Sequence, residues 1–273
     1  MNFIQLDKEG CTQCGLCVNV CRGVLGMGTH GPEAIKQECI ACGHCVAACP
    51  NEALDNLNSP LNNQVLLKEV QKLDAESVAS FLRSRRSIRA YKKIAVPRVE
   101  ISKLLDIARF APSACNSQGV AYLVIDNPDT LKKITAATIV WAEEKFKNDS
   151  SASSTLTSSI LSQINNYHQN GEDVVLRSAP CLVVAITDKN MIPMGRDNTH
   201  FSLAYAQLFA PTIELGTCFA GFFEICANDS YQPLLSILNL PQNMSVTGGL
   251  MVGYPKYTYK RLVDRDPLRV TWE

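Results

Sequence analysis

No run of about eighteen apolar residues occurs in this 273-residue chain, so a membrane-spanning helix is not expected. An excess of either charge is also lacking. Lysine and arginine number 26, aspartate and glutamate 26. That balance argues against a nucleic-acid partner or an anionic membrane surface. The first ten residues have neither the basic start nor the apolar core of a targeting segment. A cytoplasmic, reducing and oxygen-averse setting is therefore expected. The length allows one large domain or two modest ones.

Cysteine is what the chain has in excess. Twelve are present, and eight fall in the first fifty residues. Cys39-Ile-Ala-Cys42-Gly-His-Cys45-Val-Ala-Ala-Cys49-Pro50 has the C-x2-C-x2-C-x3-C-P spacing that holds iron–sulfur clusters. Soft thiolates suit such clusters, and the short spacers let one tight loop bring three sulfurs to the corners of a cubane. Pro50 turns the chain away after the fourth sulfur, because its φ is fixed and it has no N–H. Cys11-Thr-Gln-Cys14-Gly-Leu-Cys17-Val-Asn-Val-Cys21 repeats the run 28 positions earlier, Cys11 standing to Cys39. Gly15 matches Gly43 and Val18 matches Val46, which marks an internal repeat. Disulfides are disfavoured, since eight cysteines crowd too closely for a stapled fold. A pair of structural zinc sites is the rival, although zinc motifs separate two C-x2-C knuckles by a longer loop. So small a segment buries little core, and bound metal supplies the missing stability.

Positions 1 to 56 resemble a bacterial-type ferredoxin with two 4Fe-4S clusters. The resemblance implies crossed ligation. Cys11, Cys14, Cys17 and Cys49 would hold one cluster, and Cys39, Cys42, Cys45 and Cys21 the other. The first repeat departs from the pattern, with Arg22 in place of the usual proline. Glu33 comes twelve residues after Cys21, whereas its counterpart Glu52 comes three after Cys49, so nine residues are inserted. The inserted stretch, about residues 22–31 with Met27 and His30, is expected to be a surface insertion; docking against the other domain is the alternative. His30 and His44 need no ligand role, because the cysteines suffice for two clusters.

The expected domains are a two-cluster ferredoxin-like domain at 1–60, a linker and leading helix at 61–75, and a second domain at 76–273. Residues 55–63 are polar, hold Pro60, and are expected to form the linker. Residues 65–73 have apolar positions at helical spacing, and a second short helix is expected over 78–83. Pro97 signals an amphipathic helix over 99–110, which Pro112 ends. Two short apolar runs, 121–125 and 181–186, are expected to be buried strands, and Leu250-Met-Val252-Gly253-Tyr-Pro255 another strand and turn. Residues 148–159 are serine-rich and low in complexity, followed by helical spacing over 160–167. A mobile insertion is expected there, with a lid over a substrate pocket as the functional alternative. Residues 198–215 are largely apolar, interrupted by Pro211 and stopped by Gly216. A helix apolar almost all round is expected to be buried on every side, in a core or at a subunit interface.

Arg85, Arg86, Ser87 and Arg89 concentrate guanidinium forks and a hydroxyl in five residues. Such forks suit a phosphate or the edge of an electron-rich heterocycle. Taken alone, the run is more simply a solvated basic face. Pro112-Ser113-Ala114-Cys115-Asn116-Ser117-Gln118 offers small residues and amides that let backbone approach a flat ring. Downstream, Gly253-Tyr254-Pro255 is followed by the basic pair Lys260 and Arg261. These three stretches, in this order, resemble the nitroreductase family of FMN enzymes over about positions 76 to 273.

That resemblance implies an α+β fold, a mixed sheet flanked by helices, working as an intertwined homodimer with FMN sites shared between subunits. Arg85, Arg86, Ser87 and Arg89 would grip the phosphate and the pyrimidine edge of the ring. Pro112, Ser113, Ala114 and Asn116 would come from the second copy of the chain. Ala220 and Gly221 would bring a backbone N–H near the reactive ring nitrogen, and Lys260 and Arg261 would complete the phosphate site. The chain departs from the pattern at Cys115 and at Gly119, where many relatives carry proline. Cys115, Cys181, Cys218 and Cys226 are expected to fill core, Cys115 alone being able to approach the flavin.

Together the two resemblances imply an FMN-dependent oxidoreductase. Electrons would come from a soluble donor, a ferredoxin or a reductase, through two 4Fe-4S clusters to a small organic acceptor, with nitroaromatics among the candidates. No acid or base stands out as a proton donor, so solvent is expected to supply the proton and no catalytic side chain is assigned. An electron carrier or redox sensor is the alternative from another class. Dehalogenase or dehydrogenase chemistry, known among relatives, is the alternative within the family.

Overall fold

The computed structural model describes residues 3–21, 23–146, 155–191 and 193–273. It forms two compact units, one of Met1–Asp74 with Cys115–Ser117, the other of Ala75–Ala114 and Gln118–Glu273. Among the described residues, no helix is long and apolar enough to cross a membrane.

In the first unit the order is β1 (Ile4–Leu6), α1 (Leu16–Val20), β2 (Leu25–Gly28), β3 (Gly31–Ala34), α2 (His44–Ala47) and β4 (Leu54–Asn56). β1 pairs with β4 and β2 with β3, both antiparallel. The cysteine repeat is carried into the backbone. Gln13 and Gly15 have φ of 53° and 76°, and their counterparts Ala41 and Gly43 have 54° and 72°. Gly15 and Gly43 are the residues from which α1 and α2 start, a left-handed position that glycine takes without steric cost. Phe3, Ile4, Leu25, Val46 and Leu54 form the small core with the buried Cys17 and Cys45.

Three expectations for this unit are corrected. The insertion is not a bare surface loop. Arg22 lies outside the described residues, but β2 and β3 form a hairpin across Thr29 and His30, and Leu25 is buried in the core. Asp55 and Asn56 belong to β4, so the polar linker does not begin at 55. Asp55 Oδ1 accepts the Leu61 N–H at 2.8 Å and folds the following segment back on the strand. Residues 65–73 hold one 3-10 turn, Leu67–Glu69, instead of a helix. Val65, Leu67 and Leu73 are exposed, so no packed face offsets the cost of helix nucleation.

The second unit continues with α3 (Ala75–Ser84), α4 (Arg98–Ala108), β5 (Ala121–Ile125), α5 (Pro128–Phe146), α6 (Thr155–Asn170), β6 (Cys181–Asp188), α7 (Met194–Phe209), β7 (Gly216–Phe219), α8 (Gly221–Asn228), α9 (Gln232–Leu238) and β8 (Met244–Gly253). The four strands run antiparallel in the order β5-β6-β8-β7. Ser87 adds a parallel bridge to Thr217 of β7, which makes the sheet mixed. β6 is apolar along most of its length because both faces are covered. Leu182, Val184 and Ile186 pack on one face with Ile134, Ile164, Phe223 and Leu234 from α5, α6, α8 and α9. Cys181, Val183 and Ala185 pack on the other with Leu104 of α4 and Leu203 and Ala206 of α7.

The apolar segment expected to be buried on every side is α7 followed by a 3-10 turn, Ala210–Ile213, that carries Pro211. Leu203 and Ala206 are fully buried, whereas Phe201 is 51% and Tyr205 40% exposed, so within a single chain one face of the helix is buried and the other is not. Of the serine-rich stretch, residues 148–154 lie outside the described residues. The remainder begins α6, whose Ile160 and Ile164 are buried.

Candidate functional site

The first unit gathers its cysteines around two cavities. Cys11, Cys14, Cys17 and Cys49 line one. Cys21, Cys39, Cys42 and Cys45 line the other. The left-handed residues at 13 and 15, and again at 41 and 43, alternate with residues of ordinary hand. Such alternation turns successive N–H groups toward one concavity, a geometry suited to anionic iron–sulfur centres. Among the described residues, no three His, Cys, Asp or Glu side chains stand close enough to share a single metal ion. Each cavity instead has four cysteines in its lining, and an all-thiolate donor set of that kind suits a multi-iron cluster.

Burial pushes the Cys17 and Cys45 thiols up. The Asn56 amide pulls back on Cys45. Asn56 is 1% exposed, and its Nδ2 lies 3.6 Å from Cys39 Sγ and 3.9 Å from Cys45 Sγ. In sequence this residue falls within the polar stretch 55–63 expected to be linker. Its signal was its place two residues after the repeated Glu-Ala-aliphatic triplet.

In the second unit the bridge from Ser87 to Thr217 fixes the arginine run against the edge of the sheet. Ile88 N–H donates to Thr217 O at 2.9 Å, the Ile88 side chain is buried, and Tyr91 OH donates to Ile88 O at 2.6 Å. With Ile88 pointing inward, the polar residues on either side stay accessible. Arg85, Arg86, Ser87, Arg89, Lys260 and Arg261 thus line one cleft of about 770 Å3. Its described lining includes six cationic side chains, Arg265 being the sixth, and no carboxylate. Such a field selects an anion, and the volume falls within the range of cofactor sites. Arg86 Nη2 donates to Arg261 O at 2.7 Å and its guanidinium lies over the Tyr259 ring, which ties the late basic residues to the early ones. Arg85 Nη1 donates to Gln207 Oε1 at 3.4 Å.

A second cavity, about 230 Å3, is lined by Arg89, Gly221, Phe219 and Phe222, by Ile160 and Gln163 of α6, and by Arg177. Ala220 N–H is engaged, donating to Gly249 O at 2.8 Å. Gly221 begins α8, where no intrahelical carbonyl is available to its N–H, and a Cβ added to it would meet nothing within 4 Å. A flat ring therefore has room to approach that N–H. Glu224, one turn on, is buried, and loss of solvation holds its carboxyl above the usual range against the opposing pull of Gly249 N–H, His200 and Arg196. Gln163, Arg177 and Glu224 were not singled out from the sequence, since none sits in a spaced motif.

Pro112, Ser113, Ala114 and Asn116 line neither cavity of a single chain. Ala114 N–H donates to Asn198 Oδ1 at 2.9 Å and Ser113 Oγ accepts the Gln118 N–H at 3.0 Å. Asn116 groups with the first unit, where its Nδ2 donates to Ile40 O at 2.9 Å and Ala41 O at 3.1 Å. Cys115 is exposed, with a left-handed φ of 50°. Cys181, Cys218 and Cys226 are buried, and burial pushes the thiols of Cys181 and Cys226 up to about 12, so these two are neutral core.

A family model described as the nitroreductase family matches residues 82–254, and one described as a 4Fe-4S dicluster domain matches residues 3–50. No curated protein matches the chain. Among solved structures, a nitroreductase with bound FMN from Bacteroides fragilis is 17% identical, with 71% of this chain and 98% of that one covered at a TM-score of 0.57. A nitroreductase with bound FMN from Desulfitobacterium hafniense is 16% identical, covering 73% and 100%, at 0.54. An iodotyrosine deiodinase bound to FMN and 3-iodo-L-tyrosine is 19% identical, covering 72% and 98%, at 0.56. At these identities the likeness is one of fold.

Proposed function

From a chain that belongs to the nitroreductase family and carries a 4Fe-4S dicluster domain before it, we infer an FMN-dependent oxidoreductase that receives electrons through two 4Fe-4S clusters and reduces a small organic acceptor, such as a nitroaromatic compound. The observation that carries this reading is the position of Arg89, which lines both the cationic cleft and the cavity at Gly221. A molecule with a phosphate at one end and a flat ring at the other matches that pair of adjoining spaces. When bound, FMN supplies two-electron chemistry and the clusters supply one-electron steps.

Arg85, Arg86, Ser87, Lys260 and Arg261 hold the phosphate, and Arg89 reaches the pyrimidine edge. The cations would also favour a ring that carries negative charge. Gly221 N–H would be the donor available to the bound ring, and Phe219 and Phe222 would exclude water and restrict what stacks there. Pro112, Ser113, Ala114 and Asn116 complete the site from a second copy of the chain, making the working form a homodimer. Cys11, Cys14, Cys17 and Cys49 hold one cluster and Cys21, Cys39, Cys42 and Cys45 the other. Residues 1–60 serve as the electron-receiving domain, 61–75 as the connection and 76–273 as the flavin domain. The covalent connection keeps electron donor and flavin at high effective concentration. A soluble ferredoxin or reductase of the cytoplasm is the external donor.

The test is rapid mixing with reduced ferredoxin in the absence of oxygen, following flavin bleaching. The intact protein is compared with a Cys14→Ser, Cys42→Ser variant at matched flavin content. Fast bleaching in the first and much slower bleaching in the second is the expected result. Equal rates would remove the clusters from the route, and a purified protein without FMN would remove the flavin.

A further inference from the structure

The second unit contains a further cavity, of about 640 Å3, and none of its lining residues lines either cavity given to the flavin. It lies among the segment after Tyr91, the end of β5, the first turns of α5, the end of α6 and the turn that leads into β6. Leu131 and Ala179 are buried there, and Ile94, Pro128 and Pro180 add to the apolar lining. The wall is fixed by its own hydrogen bonds. After α6 the chain turns at the left-handed Gly171, whose N–H donates to Tyr167 O at 3.1 Å. Asp173 Oδ1 then accepts the N–H of Val175 at 3.2 Å and of Leu176 at 2.9 Å, and Thr135 Oγ1 at 3.0 Å; Oδ2 accepts the Ser178 N–H at 3.0 Å. These bonds hold Arg177 and Ser178 at left-handed φ of 55° and 53°, a backbone that residues other than glycine keep only where their surroundings impose it. Ligand cavities are largely preformed in this way.

The polar groups of the lining divide into those already engaged and those still open. Asp173 is met by the four donors above. Asp126 is met by Arg98, which donates through Nε at 2.9 Å and Nη2 at 3.2 Å and holds that carboxyl below its usual range. Lys132 stands 3.5 Å from Asp129, one turn earlier on α5. The Lys93 ammonium and the Tyr167 hydroxyl have no hydrogen-bond or ion-pair partner among the described residues. Both can donate, so the open chemistry of the cavity is that of an acceptor, and the lysine favours a negative one.

We propose that this cavity is a second ligand site, for a small carboxylate with an aliphatic body, its head group at Lys93 and Tyr167 and its chain along Leu131, Pro128 and Pro180. The site stands apart from the flavin assignment. One free ammonium and one hydroxyl balance a single negative charge, whereas a doubly charged phosphate would also face Asp126 and Asp173 in the same lining. A carboxamide of the same shape lacks the charge that Lys93 meets. Side chains of leucine, isoleucine and proline offer an alkyl chain the burial that separates a long carboxylate from a short one.

Titration calorimetry on the full-length protein, its FMN content measured first, tests this with octanoate, octanamide and butanoate as probes. Octanoate is expected to bind about ten-fold or more tightly than octanamide, through the charge, and than butanoate, through the chain. Lys93→Gln should bring octanoate and octanamide to within about two-fold of each other, and Lys93→Arg, which keeps the charge, should retain most of the preference. Tyr167→Phe removes only the hydroxyl and should weaken octanoate by about three-fold or more at unchanged FMN content. Arg177→Gln alters the cavity at Gly221 and should leave octanoate binding as it was. Absent octanoate binding, or equal binding of octanoate and octanamide, overturns the proposal, as does a preference that survives Lys93→Gln. Loss of octanoate binding in Arg177→Gln with retention in Lys93→Gln would put the carboxylate in the other cavity and overturn it too. Butanoate binding as tightly as octanoate overturns the aliphatic part.

Discussion

Glu224 accepts the backbone N–H of Gly249 through Oε1 at 2.8 Å, and this bond closes a ring between α8 and β8. Gly249 O accepts from Ala220 N–H at 2.8 Å, and Ala220 O from Glu224 N–H at 2.9 Å. The start of α8 is thereby clasped to the middle of β8, with Gly221 at the open side. A side chain at 249 is excluded, since a Cβ would stand 2.9 Å from the Phe223 ring.

Breaking this clasp should destabilise the protein. Glu224→Ala leaves the Gly249 N–H buried without its partner, a loss of about 1–3 kcal/mol, whereas Glu224→Gln retains an acceptor. Below the ordinary carboxylate range both folded and unfolded chains are protonated at Glu224, and its contribution to stability is complete. As pH rises, the unfolded chain ionises first, because burial raises the folded value, and the contribution is lost as pH passes that raised value. Arg196 and His200, the cations whose charge opposes the rise, are common to both proteins. Urea unfolding at a series of pH values should show the decline in the native protein and not in Glu224→Gln; parallel curves would contradict it.

Protein isolated without oxygen should contain about eight irons and eight sulfides per chain, as two 4Fe-4S clusters require. Cys14→Ser should damage one cluster and Cys42→Ser the other, giving about half the iron in each case. Elemental analysis and labile-sulfide assay decide this. Stoichiometric zinc without sulfide would contradict it.

Asn56→Leu should lower the reduction potential of the cluster held by Cys39 and Cys45. The amide donates toward both sulfurs, and N–H···S contacts favour the more negative, reduced state. Redox titration followed by electron paramagnetic resonance would show one potential displaced and the other unmoved. Two unmoved potentials would detach Asn56 from the metal chemistry.

Arg85→Ala should weaken FMN retention by roughly 1.5–3 kcal/mol, the range for a hydrogen bond to a charged group. Dialysis followed by flavin absorbance measures it. Loss of Arg85 also frees Gln207, which is buried, so Gln207→Leu serves as the control for packing and should retain FMN. Unchanged occupancy in Arg85→Ala would take Arg85 out of the phosphate site.

The features legible without coordinates were those encoded over a few residues. The 28-residue repeat reappears as matched left-handed backbone at 13 and 15 and at 41 and 43, because tight cysteine spacing leaves the intervening residues little choice of φ. Residues 121–125 form a strand as expected, but at the sheet edge, where only Ile125 is buried, and the buried run starting at Cys181 extends two residues beyond its expected end, to Asp188. Apolar, β-branched stretches bounded by turn formers carry that signal locally. The same local reasoning failed at 65–73, where helical spacing exists but no surface packs against it.

What the sequence by itself determined, then, was chemistry held in short spacings: thiolates in two runs, guanidiniums in one, turn residues between strands. Tertiary structure decided which distant groups meet. Ser87 reaches Thr217 only because β7 is the sheet edge, and Arg86 reaches Arg261 across 175 positions of chain. Arg177 and Gln163 share a cavity with Gly221 because α6 packs on the face of the sheet that carries α8. Asn56 changes from a polar linker residue to a buried donor because β4 pairs with β1. Such meetings depend on strand register and helix packing, which arise from burial summed over the whole unit, and no window of neighbouring residues contains that sum.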